Sequence, residues 1–208
     1  MAATQWIRLN KEQAGEVIDR LAARKDAVVF SRDLTEVSWQ QLPFYSRFRL
    51  YKLTTYATLP VFTLTYLADS SEFIALDGTA NPIYTADEKD PVRIDANNVI
   101  AYLEFFFSHV QGSEGDVFLI RDPHKIPFIR NFTPGQRQSI EQSFRPVQVS
   151  EDDGTLHVTG TLHYGGGILA ATIVVQPDGK IAFEEQSLLL SGIHFPDSPY
   201  ATSAFVGG

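Results

Sequence analysis

The sequence predicts an α+β fold, in which a curved antiparallel sheet packs on one long buried helix and on an N-terminal amphipathic helix. Three observations carry this prediction. A capped amphipathic segment begins after Asn10, a phenylalanine-rich segment with helical spacing follows Asp95, and strand-like patterns fill 47–76 and 117–186. A sheet that wraps on one long helix accommodates these elements.

Composition limits the class of protein. The 208 residues, of which 44% are hydrophobic and 20% charged, predict one domain over 1–208, with an extended tail at 195–208 and 121–135 as the best place for a subdomain boundary. The net charge of −8 disfavours nucleic acids and anionic membranes as partners. The absence of cysteine excludes disulfides and a thiol nucleophile. Neither a signal peptide nor a membrane-length apolar run is visible, so we expect a soluble cytoplasmic protein.

The first helix is predicted over 11–25. Asn10 and Gln13 match a capping box, and apolar residues recur at helical spacing from Ala14 to Ala22. A short strand is predicted at 27–30, whereas 32–44 has no clear period.

A hairpin of two strands is predicted over 47–67. In its second strand Phe62, Leu64 and Tyr66 alternate with Thr63 and Thr65, which is typical of a half-buried strand. Further strands are expected at 73–76 and, on weaker patterns, at 82–84 and 92–94.

The central helix is predicted over 96–111, with Asp95 as its N-cap and Gly112 as its terminator. A buried strand at 117–120 follows. After an irregular segment, Thr133 and Pro134 indicate the start of a short helix near 134–143.

The last third of the sequence predicts an antiparallel meander. Strands are predicted at 155–164, 168–175 and 181–186, separated by a glycine-rich turn at 165–167 and a Pro-Asp-Gly turn at 177–179.

Two histidines are candidate ligands. His157 and His163 share one face of a strand but lie six residues apart, which is roughly 20 Å and too far for one metal ion. We interpret this face as a solvated His/Thr surface, on which Glu184 of a neighbouring strand is an available partner.

No intact catalytic motif is present. The sequence lacks the serine-hydrolase elbow, the zinc-protease motif and the dinucleotide-binding motif, so we expect no catalytic residue, cofactor or metal, and a catalytic role is less expected than a binding role.

Two further groups of residues suit ligand or partner binding. Arg121 and His124 lie in the irregular segment and suit an anion. Arg49 and Tyr51 belong to an aromatic and basic cluster typical of protein–protein surfaces, whose other members are Tyr45, Arg47, Lys52, Tyr56 and Tyr66.

One stretch resembles a known family. The run Phe73-Ile74-Ala75-Leu76-Asp77, then Pro82-Ile83-Tyr84, then Asp90-Pro91-Val92 and the helix from Asn98 to Phe107 resemble the middle of SUKH-type domains. The resemblance lies in element order and hydrophobic pattern. It implies an α+β binding module of the toxin-immunity type.

Three functions therefore stay open. The first is a non-catalytic protein-interaction module, which a homodimer would satisfy. The second is a small-ligand-binding or lyase-like protein with a pocket between the sheet and helix 96–111. The third is a toxin-immunity protein.

Overall fold

The structure is a computed structural model that describes residues 5–22, 24, 27–126 and 132–191. These residues form four α-helices and two antiparallel sheets, which confirms the predicted α+β class. The chain divides into two compact units. Of the described residues, the first unit contains those up to Asp77 together with Asn81–Pro91, and the second contains Gly78–Ala80 and those from Val92 to Ser191. The single-domain interpretation, with its boundary near 121–135, stays a prediction, and the tail predicted at 195–208 lies outside the described residues.

The first unit is a five-stranded meander with two helices. Its strands pair in sequence order, each antiparallel to the next. Its elements are β1 (Ile7–Arg8), α1 (Lys11–Leu21), β2 (Thr35–Gln41), β3 (Arg49–Thr55), β4 (Phe62–Ala68), β5 (Phe73–Ala75) and α2 (Asn81–Lys89).

Helix α1 forms where the capping box predicts it. The Asn10 side chain accepts a hydrogen bond from the Gln13 backbone N–H at 2.9 Å, and the Gln13 side chain accepts from the Asn10 N–H at 3.3 Å. The helix ends at Leu21, about one turn before the predicted end at residue 25. Its apolar side chains pack on one face of the sheet. The core there is formed by Ala14, Val17, Ile18, Leu21, Ala27, Phe30, Val37, Leu53, Tyr66, Ala68 and Phe73.

Two strand predictions in this unit are wrong. The segment 27–30 is a turn, in which the Phe30 N–H donates to the Ala27 carbonyl at 3.1 Å; the buried residues are three apart, as a turn requires, and the two between them are exposed. Residues 82–84 lie in α2, where Pro82 occupies the first turn and Ile83 and Ala86 are buried at helical spacing. The region 92–94 forms no strand.

Strand β2 is an element that the sequence analysis missed. In this strand Val37 is buried on one face of the sheet, and the flanking residues Glu36 and Ser38 lie on the opposite face. The alternation in β4 is confirmed, since Phe62, Leu64 and Tyr66 lie on the α1 side.

The second unit holds the other sheet. Strands β10, β9 and β8 are neighbours in that order, and the remaining edge of β8 pairs with β7 along its first half and with β6 along its second. The elements are α3 (Val99–His109), β6 (Phe118–Ile120), a 3₁₀ turn (Pro123–Lys125), α4 (Pro134–Ser143), β7 (Gln148–Asp152), β8 (Thr155–Tyr164), β9 (Gly167–Val175) and β10 (Ile181–Leu190).

The strands of 47–76 and 117–186 therefore form two sheets and not the single sheet that we expected. The physical reason is local pairing. Strands joined by short turns pair with their sequence neighbours, and α2 and α3 separate β5 from β6 along the chain.

Helix α3 is the predicted buried helix, with different ends. Asp95 does not cap it directly; its carboxylate accepts from the N–H groups of Asn97 and Asn98 and so shapes the turn before Val99. The helix stops at His109, before the predicted terminator. Its aromatic side chains contact the sheet, as in the stacking of Phe107 on Phe183 at 6.1 Å between ring centroids.

Helix α4 begins at Pro134, as predicted. The Thr133 hydroxyl accepts from the Gln136 N–H at 3.2 Å, and the Gln136 side chain accepts from the Thr133 N–H at 2.9 Å. The core that contains Ile140 is completed by Ile120, Ile126, Phe132 and Ile168, with Phe144, Leu189 and Leu190 packed against it.

Candidate functional site

Two of the predicted site residues, Arg49 and Tyr51, lie on β3 of the first unit. The Arg49 guanidinium lies 4.3 Å from the centroid of the Trp39 ring, so it covers that aromatic surface. Tyr51 is half-buried and meets Phe73 edge-to-face at 5.9 Å. Tyr51 is therefore packed against the core, and only Arg49 is exposed to solvent.

Arg121 precedes the short 3₁₀ turn of the second unit, and His124 lies within that turn. Arg121 is 3.2 Å from a carboxylate oxygen of Glu104, and His124 Nδ1 is 3.5 Å from an oxygen of Glu141. Both basic side chains thus face acidic ones. Anion binding by Arg121 and His124 stays a prediction, and the segment continues into residues 127–131, which are not described.

The two strand histidines have different surroundings. His157 Nδ1 lies 3.4 Å from Glu184 Oε2, the partner that the sequence suggested, although Glu184 lies on β10, which β9 separates from β8. His163 is buried, with 7% of its surface exposed, and its ring stacks on Phe118 at 5.6 Å. Burial lowers the pKa of His163 to about 4, and the charge of Asp116 opposes this shift only in part.

The interpretation of a solvated His/Thr face is therefore wrong for the second half of β8. Thr161 is fully buried, and its hydroxyl donates to the Arg145 carbonyl at 3.2 Å and accepts from the Arg145 N–H at 2.8 Å. Ile168, the cross-strand neighbour of His163, belongs to the core that contains Ile140 of α4. The alternating pattern could not reveal this cover, because α4 is distant in sequence.

A group of buried carboxylates in the first unit was missed by the sequence analysis. Asp90 accepts hydrogen bonds from Ser46 Oγ at 2.6 Å, from the Arg47 N–H at 2.7 Å and from the Phe48 N–H at 3.1 Å. Burial raises the pKa of Asp90, but these hydrogen bonds and the Arg47 charge outweigh it and hold the pKa below its usual range. The sequence feature that could have indicated this group is the i, i+3 spacing of Asp87, in the last turn of α2, and Asp90, directly after that helix.

Asp69 completes this charged end of the sheet. Burial raises its pKa, but hydrogen bonds from Ser71 and from the Glu72 N–H outweigh it, so its pKa is also lowered. Arg47 contacts both carboxylates, because its guanidinium lies 3.7 Å from Asp69 and its backbone N–H donates to Asp90 at 2.7 Å. These carboxylates hold loops in place, and their acceptor positions are occupied by protein donors.

The opposite end of the same sheet is apolar and exposed. Strands β2, β3 and β4 have seven residues each, so the two ends are about 20 Å apart. We call this surface the apolar end. It consists of Val28 (78% exposed), Val29, Leu34, Tyr56 (56%), Leu59 (96%) and Val61.

Backbone contacts hold the loops of the apolar end together. The Tyr56 N–H donates to the Leu34 carbonyl at 2.8 Å, and the Thr55 hydroxyl lies 3.5 Å from the Val29 carbonyl. Below them the Phe30 and Phe62 rings stack at 6.4 Å, which ties the α1–β2 loop to the start of β4. The exposed apolar side chains therefore lie in loops that are joined to one another.

The apolar end has almost no charge of its own. Residues 53–68 contain no Asp, Glu, Lys or Arg. The two charged residues between Val29 and Leu34 are paired, because Arg32 bonds to Asp19 and Asp33 lies 2.8 Å from Lys11. Such a surface can bury apolar area but supplies no group for acid–base chemistry.

Comparison of the chain with protein-family models, with curated proteins and with solved structures finds no match. Within the described ranges, no three His, Asp or Glu side chains are grouped so as to hold a metal ion. No described helix has both the length and the apolar composition needed to cross a membrane. The resemblance of 73–107 to SUKH-type domains stays a hypothesis.

Proposed function

We propose that this protein is a non-catalytic interaction module, and that its docking surface is the apolar end of the first unit. The observation that carries the proposal is that six exposed large apolar side chains lie in the loops at one end of the sheet, where the intervening charged residues Arg32 and Asp33 are each paired. Isolated apolar residues are normal on protein surfaces, whereas a contiguous patch signals an interaction site.

The size of the patch supports this role. From the exposed fractions of its six residues, the apolar end presents roughly 600 Å² of side-chain surface, the upper end of what a typical monomer exposes. Keeping this area in water costs free energy that a partner recovers by covering it. The partner surface that fits best is apolar and uncharged, because any charge buried there would find no counter-ion.

A catalytic alternative has less support from the described residues. The buried carboxylates of the charged end accept hydrogen bonds from protein donors, which suits a structural role. The ligand-binding alternative places a pocket between the sheet and α3. Two α3 side chains make direct contacts there, since Tyr102 donates to the Gly179 carbonyl at 2.7 Å and Phe107 stacks on Phe183.

Site-specific photo-cross-linking tests the proposal. A benzophenone side chain replaces Leu59 in one protein and Leu188, an exposed leucine of the second unit, in the matched control. We expect protein adducts from position 59 in extracts of the source cells and few from position 188. The adducts from position 59 should also decline when Val28→Ser and Tyr56→Ser are added. Equal adducts from both positions, or no effect of the added substitutions, would refute the docking role.

A further inference from the structure

We infer that the partner at the apolar end is the same surface of a second copy of this chain, so that the protein forms a two-fold homodimer. The inference rests on the docking role proposed above and names its occupant. In a two-fold dimer each patch meets its own equivalent, so the patch must be complementary to itself.

Charge favours this contact over others between two copies. Each chain carries a net charge of −8, so two copies repel one another over most of their surfaces. The segment 53–68 is uncharged and the neighbouring Arg32 and Asp33 are each paired, so the apolar ends can approach without that repulsion. An uncharged apolar surface matches itself, whereas a surface of one charge does not.

The area is sufficient for a specific dimer. With roughly 600 Å² from each copy, the two apolar ends would bury about 1,200 Å² in total, the lower limit of standard interfaces. Interfaces at this lower limit are typical of weak, concentration-dependent association, because association also costs translational and side-chain freedom.

The other surface suited to pairing is less favourable. Strand β10 is ten residues long and lies at the edge of the second sheet, where unpaired backbone groups can recruit another strand. Exposed Glu184 and Glu185 and two register shifts interrupt that edge, however, and such features oppose strand addition. A dimer through β10 would also place the glutamates of two copies close together.

Sedimentation equilibrium of the purified full chain tests the inference. Val28 and Leu59 are the most exposed members of the patch, so Val28→Ser with Leu59→Ser should leave the fold intact. We expect a concentration-dependent monomer–dimer equilibrium for the unsubstituted chain. The double substitution should weaken the dimer at least about tenfold, because each change acts twice across a two-fold interface. Leu188→Ser serves as the matched control and should leave the dimer unchanged.

Several results would overturn the inference. A monomer at every concentration up to several hundred micromolar would exclude the second copy as the occupant, while adducts from position 59 would still support the docking role. A dimer that the double substitution does not weaken would place the contact elsewhere. Growth beyond the dimer would indicate a head-to-tail contact.

Discussion

Protonation of His163 should make the second unit lose stability in mild acid. The folded-state pKa is about 4, and an unfolded histidine has a pKa of about 6.5. Above pH 6.5 neither state binds the proton. As the pH falls from 6.5 to 4, the unfolded chain binds a proton that the folded chain refuses, so the free energy of unfolding decreases. Below about pH 4 both states are protonated and this loss levels off.

The size of the effect follows from the two pKa values. A difference of about 2.5 pH units corresponds to a loss of about 3 kcal/mol between pH 7 and pH 4. Burial also lowers the pKa of His109 in the same unit, and it adds a loss of the same sign. The contribution of His163 alone is therefore the difference between the natural chain and the variant His163→Leu.

Urea unfolding at several pH values between 7.5 and 4.5 measures this difference. Both tryptophans, Trp6 and Trp39, lie in the first unit, so their fluorescence follows that unit, and far-ultraviolet circular dichroism, which reports both units, gives the second unit by comparison. We expect the free energy of unfolding of His163→Leu to fall less steeply with acid than that of the natural chain. Leu162→Val, at a buried position of the same strand with no titratable group, is the control and should keep the natural slope. Equal slopes for the natural chain and His163→Leu would refute the reasoning.

Three more substitutions test the contacts that hold each unit together. Asp90→Ala leaves the donors of Ser46, Arg47 and Phe48 without their acceptor, so tryptophan fluorescence should report a first unit destabilised by about 1.5–3 kcal/mol; a loss below about 1 kcal/mol would contradict its role. Tyr102→Phe removes the hydrogen bond to the Gly179 carbonyl, and circular dichroism in urea should give a loss of about 1–2 kcal/mol, which an unchanged midpoint would exclude. Thr133→Ala removes the N-cap of α4, and the same assay should give a loss of about 1 kcal/mol, with Thr133→Ser close to the natural chain as control.

Elements with local signals were predictable from the sequence. The capping boxes that start at Asn10 and Thr133 depend on residues three apart, and both helices begin where expected. The same holds for the hairpin turns. Gly165 and Gly166 have φ of 58° and 71°, so the predicted glycine-rich turn joins β8 to β9 with two residues that can adopt the left-handed region.

Elements that depend on distant contacts were not predictable. The residues next to Ile83 in the sequence predict a strand. Packing within the first unit instead buries Ile83 as part of α2. His163 alternates like a surface residue, but the core that contains Ile140 of α4 covers that end of β8. The division into two sheets likewise depends on which strands pair, and strand pairing is a contact between distant residues.

The apolar end was hidden for the same reason. Val28 and Val29 belong to an apolar run that reads as a buried strand, whereas the chain turns there and leaves both exposed. Tyr56 was grouped with Tyr51, but Tyr51 packs against the core and Tyr56 is exposed at the sheet end. Only the pairing of β2, β3 and β4 brings these loops to one place.

Pulsed electron paramagnetic resonance on single spin labels tests most directly whether two chains meet at the apolar end. The chain has no cysteine, so Ala57→Cys places one label beside Leu59, and Glu88→Cys places one on α2 near the charged end. At concentrations where the protein is dimeric, labels at position 57 should give a short inter-chain distance and labels at position 88 a clearly longer one. No dipolar coupling at position 57, or a shorter distance at position 88, would contradict the account.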